Sequence, residues 1–159
     1  MNSTSVLILS AVSLLSAVSA GCSSPDEKLA RSVIRMTPEE RRATLSHLRP
    51  ETEIYVYTYA YTRNEPPLIL ASEIAPDWKS VLPVLSVRLK SERNEAILAG
   101  LIMVLPVISE HYCSLSGRDD ILSAASQAAT KLEPPYRELA DKQIEEIRRP
   151  DAKLPPCTR

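Results

Sequence analysis

The chain contains no phenylalanine, three glycines, two histidines and three cysteines in 159 residues. Each scarcity removes a class of chemistry. So few glycines leave no glycine-rich loop to cradle a phosphate and no flexible low-complexity linker. His47 and His111 stand alone, without the spaced His/Glu pattern of a zinc site, and no serine sits in a glycine-flanked nucleophile elbow. Nineteen basic residues against twenty acidic ones give a net charge of −1, which argues against the concentrated basic face of a nucleic-acid binder. The apolar run from Val6 to Val18 is 13 residues long, short of the roughly 20 that a membrane helix needs. No metal, cofactor or small-molecule substrate is signalled.

That run reads as the core of a cleaved export signal over residues 1–21, although Met1 to Ser5 carry no Lys or Arg. It leads into Ser19-Ala20-Gly21-Cys22, which is similar to the lipobox of bacterial lipoproteins, with Ser19 where such boxes carry an aliphatic residue. The resemblance implies a lipid on Cys22, a membrane-anchored domain and a place in the cell envelope, with the domain in the periplasm. Cleavage after Ala20 is the alternative and leaves a soluble periplasmic or secreted protein; an unprocessed cytosolic start is a third. If Cys22 is acylated, Cys113 and Cys157 remain as an even pair for a disulfide in an oxidising compartment. Such a bridge would pin the Pro-rich tail, residues 149–159, to a helical domain over residues 22–148.

Thirteen prolines punctuate helices. Ser24-Pro25-Asp26-Glu27 and Thr37-Pro38-Glu39-Glu40 each offer a hydroxyl cap, a first-turn proline and an acid three residues on. The first helix turns Leu29, Ala30, Val33 and Ile34 to one side, and the second carries Leu45 and Leu48 before Arg49-Pro50 stops it. Asp77 caps a third, with Trp78, Val81, Leu82, Leu85 and Leu89 at helical spacing. Residues 95–109 are apolar on every face, which predicts a buried central helix kinked or ended by Pro106. Asp119-Asp120 opens another helix, and Pro134-Pro135 a last one with Leu139, Ile144 and Ile147 inward.

Residues 53–61 alternate strictly through Tyr55, Tyr57, Tyr59 and Tyr61, a strand pattern by composition. A strand there needs partners for its amides, and the only nearby candidate, residues 68–71, sits just behind Pro66-Pro67 in a chain otherwise written as helices, so context favours helix. As a helix, Tyr55/Tyr59 and Tyr57/Tyr61 form two stacked pairs on adjacent flanks. These four tyrosines are the candidate partner-binding residues, weighed against a reading in which two or three are core.

Residues 81–105, with Val81, Leu85 and Leu89, then the turn at residues 91–94, then Ala96, Ala99, Leu101 and Leu105, resemble a HEAT-type helical hairpin. The resemblance implies a short α-solenoid or an irregular bundle. The expected class is all-α, with about six to seven helices. Glu110-His111-Tyr112-Cys113 gathers catalytic residue types, but adjacent side chains point apart, so a helix end is the simpler reading and no catalytic residue is assigned. The charge runs at residues 39–42 and 143–149 read as solvated helix faces. The expected function is a non-enzymatic envelope lipoprotein that binds an unidentified protein. An inhibitor or immunity protein against an exported toxin or hydrolase is the alternative.

Overall fold

The computed structural model describes residues 24–63, 67–149 and 153–158. Over these residues the chain is all helical, with eight α-helices and one 3-10 turn; the only strand-like feature among them is an isolated bridge between Ser114 and Pro156. The first two helices, α1 (Pro25–Ile34) and α2 (Pro38–Leu45), open as their local sequences dictate. The Ser24 hydroxyl accepts the Glu27 amide at 3.1 Å. Thr37 and Glu40 exchange cap bonds at 3.3 and 2.9 Å, satisfying two amides that a bare helix start would leave orphaned. The second helix ends at Leu45, three residues short of Leu48, and Pro50 begins α3 (Pro50–Thr62) rather than merely stopping its predecessor.

The tyrosine segment is therefore a helix. It packs against α1, α4 (Pro67–Ile74), α5 (Trp78–Ser91) and α6 (Glu95–His111), so most of its circumference is covered. An extended segment in that position would leave buried amides without partners, whereas a helix satisfies them internally; this outweighs the β preference of its residues. The buried Thr58 hydroxyl is likewise accommodated, donating to the Ile54 carbonyl at 3.0 Å. The fourth helix adds one to the expected number. It joins α5 through a 3-10 turn over Ala75–Asp77, and Asp77, at the N-cap position of α5, makes no side-chain cap bond.

The central helix is α6, whose Leu98, Leu101, Ile102, Val104, Leu105 and Ile108 are all buried. Asn94 caps it, accepting the Ile97 amide at 3.2 Å. Pro106 does not end it: the helix runs on to His111. Although α5 and α6 are joined by three residues, α5 lies most extensively against α7 (Asp119–Ala129). The last helix, α8 (Tyr136–Arg148), closes over α6 and α7 with Ala140, Ile144 and Ile147 inward; Leu139, expected inward, is 48% exposed. Inside the 39–42 charge run, Arg41 is not a solvated residue. Its guanidinium grips Glu73 of α4 at 2.8 and 2.9 Å and donates to the Met36 carbonyl at 3.0 Å, while Glu73 is nearly fully buried.

Candidate functional site

The third helix divides the tyrosines between two flanks. On one, Tyr57 is fully buried and its hydroxyl donates to the Gly100 carbonyl at 2.7 Å, with Tyr61 beside it at 6.3 Å between ring centroids. Tyr57 is thus a core residue, and a continuous exposed ladder of four tyrosines is not formed. Gly100 is what allows the approach, because a Cβ there would stand 2.8 Å from Cγ of Tyr61. Tyr61 is half-buried and lines a shallow depression of about 10 Å³ with Met103, Tyr136 and Leu139. A space that small holds no small molecule, but Tyr136 and Leu139 are exposed beside it and make an apolar surface.

On the other flank Tyr55 and Tyr59 are half-buried, their ring centroids 6.2 Å apart. Tyr59 is set among charges. Arg31 of α1 donates from Nε to the Tyr59 hydroxyl at 2.9 Å and pairs with Glu27 at 2.6 Å. Arg63 stacks over the Tyr59 ring at 4.5 Å from its centroid and lies 3.7 Å from the same Glu27 carboxylate. Arg31 and Arg35 share a helix face by spacing, so their proximity was open to sequence reasoning. Nothing in the sequence signals that Arg63, a chain-distant residue, would join them.

Cys113 and Cys157 are disulfide-bonded, with Cα atoms 5.0 Å apart. Two backbone bonds run alongside, from the Ser114 amide to Pro155 O at 2.8 Å and from the Cys157 amide to Ser114 O at 2.9 Å. Arg118 adds a contact to the Thr158 carbonyl at 3.5 Å and holds Asp120 at 2.9 Å. The Asp120 carboxyl is held down at about 2, foremost by the Arg118 hydrogen bond. With Cys113 oxidised, the 110–113 run has no thiolate to offer, and the His111 side chain projects into solvent, 3.9 Å from Glu110. Cys22 lies outside the described residues. Among the described residues no helix is long and apolar enough to cross a membrane.

One buried acid has no counterpart in the sequence reading. Glu53, in the first turns of α3, is 2% exposed and its Oε1 has no hydrogen-bond partner among the described residues. Burial, with the Asp77 charge nearby, pushes its carboxyl up to about 8.

No family model matches the chain, and neither does any curated protein or solved structure.

Proposed function

We propose that this chain is an exported, lipid-anchored domain of the bacterial cell envelope that acts by binding another protein rather than by catalysis. The observation that supports it most is the pairing of cysteines. Of three in the chain, Cys113 and Cys157 are joined to each other, which leaves Cys22 as the odd one, immediately after Ser19-Ala20-Gly21. A structural disulfide suits an oxidising compartment, and an odd cysteine at a lipobox-like sequence suits acylation. Binding through a surface is supported by Tyr136 and Leu139, exposed beside Tyr61 and Met103 over a depression too shallow for a small ligand.

Metabolic labelling with radioactive palmitate in a bacterial host tests the anchor. The full chain is expected to take up label and sediment with membranes, and Cys22→Ser to lose both while remaining folded. Wild-type chain that stays unlabelled and soluble in the periplasm would overturn the anchored reading.

A further inference from the structure

We infer that Arg31, Arg35, Arg63 and Tyr59 form a binding site for a phosphate-class oxyanion. Together with Ile34 they line a hollow of about 170 Å³ between the end of α1 and the end of α3. That is below the roughly 300 Å³ at which pockets for whole organic ligands begin, and it suits an anionic group carried on something larger, or a free inorganic anion. Three guanidiniums meet there, and the carboxylate paired with them is Glu27, bonded to Arg31 at 2.6 Å and 3.7 Å from Arg63. Among the described residues of the cluster, three guanidiniums against one carboxylate leave two positive charges. Arg35 makes no ion pair and no side-chain hydrogen bond among the described residues, so its donors are available.

The cluster is held in place before any ligand arrives. The Tyr59 hydroxyl accepts from Arg31 Nε at 2.9 Å and faces Glu27 at 3.4 Å, while the Tyr59 ring carries Arg63 stacked on it at 4.5 Å. Like charges brought together on two helices repel, and this arrangement offsets part of that repulsion through one carboxylate and one aromatic face. A planar carboxylate presents its acceptors in one plane and is filled by few donors, as Glu27 is by Arg31 Nη2 at 2.6 Å and, more distantly, Arg63 at 3.7 Å. A tetrahedral oxyanion presents more acceptors in more directions, which matches donors converging from three side chains. The ligand is therefore a phosphate group, supplied either by a soluble phosphate or by the headgroup of an anionic lipid.

Two titrations of the full chain carrying Cys22→Ser, in which no acyl anchor contributes, distinguish these sources. In the first, inorganic phosphate is added at low ionic strength and followed by the arginine Nε–Hε signals in NMR. In the second, vesicles of phosphatidylglycerol are compared with vesicles of phosphatidylcholine in a flotation assay. Saturable binding is expected in at least one arm, weakened about tenfold or more by Arg35→Gln and by Arg63→Gln, and unchanged by Arg93→Gln on the α5–α6 connection. Binding of phosphate alone identifies a soluble ligand; binding only to phosphatidylglycerol identifies a lipid headgroup. Absence of binding in both arms, or binding that survives both cluster variants, would overturn the site. Circular dichroism of each variant checks its fold, which these exposed side chains do not hold together. The outcome is independent of whether Cys22 is acylated.

Discussion

Gly100 shows how one missing atom organises a contact between two helices. It lies inside α6, where alanine would favour the helix by about 0.5–1 kcal/mol. Yet its Cβ would meet the base of the Tyr61 ring at 2.8 Å, an atom too near the backbone to swing away cheaply. Overpacking of that kind costs about 1–3 kcal/mol, so Gly100→Ala is expected to lower the urea midpoint despite its better propensity, with the slope unchanged. A raised midpoint would show that Tyr61 moves freely. Glu53 makes a different residue-scale case, in which the cost depends on pH. Its folded value of about 8 stands above its ordinary 4.5, so between these the folded state keeps a proton that the unfolded chain has released. Stability linked to this carboxyl is complete below pH 4.5 and is lost as pH rises through 8, by an amount on the order of a few kcal/mol. Glu53→Gln keeps the shape and removes the ionisation. Urea unfolding across that range should fall with pH for the wild type and, as far as this group is concerned, stay level for the variant, which gains most at the alkaline end.

At the scale of elements, α2 depends on a partner. Eight residues with one buried side chain, Leu45, are too few to hold a helix in place by propensity. The bidentate pair between Arg41 and Glu73 fastens it to α4. Arg41→Ala leaves a buried carboxylate uncompensated and is expected to cost about 3–5 kcal/mol in chemical denaturation, whereas the double change Arg41→Met with Glu73→Leu should cost far less. Sequence reasoning reached the start of α2, because a capping box is written within four consecutive residues. It could not reach the pair, whose members are 32 positions apart and each unremarkable alone. The same division recurs elsewhere. Local signals mark the starts of α1 and α7, and the all-round apolar run marks the buried helix α6, whose Asn94 cap went unread. Alternation in residues 53–61 pointed toward a strand, and only the want of hydrogen-bond partners argued otherwise. The helix α4 carries no legible period, since its eight residues, beginning at Pro67, are too few to display one. For the candidate sites, four-residue spacing revealed both tyrosine pairs. Which pair would face α6 and which the arginines is a product of tertiary packing, so Tyr57 could not be told from a surface residue in advance. Leu139 was misplaced for a related reason: its helix buries Ala140, Ile144 and Ile147, and Leu139 falls on the edge of that stripe.

For the molecule as a whole, the decisive closure is the return of the C-terminal segment to the end of the central helix. Cys113 follows α6 by two residues, and Cys157 reaches it across a separation of 44. Everything between, including α7 and α8, is enclosed in that loop. In the chain-entropy account, closing a loop of this length in the unfolded state raises the stability of the folded one by about 4 kcal/mol. Among the described residues, the non-covalent holds on the same segment include backbone bonds at Ser114 and Cys157 and the Arg118 contact to Thr158. The helices inside the loop do not rely on it, since α7 packs on α5 and α8 on both α6 and α7. Cys157→Ser is therefore expected to preserve the far-UV circular dichroism of the folded protein while lowering its unfolding free energy by about 2–4 kcal/mol. Amide exchange should show where the change falls: the amides at positions 114 and 157 should lose protection, and those of α6 between Leu98 and Ile108 should keep their rank as the slowest. Loss of helical signal in the variant would mean that α7 and α8 need the closure to fold; an unchanged unfolding free energy would mean that the unfolded chain is already compact enough for the bridge to add nothing.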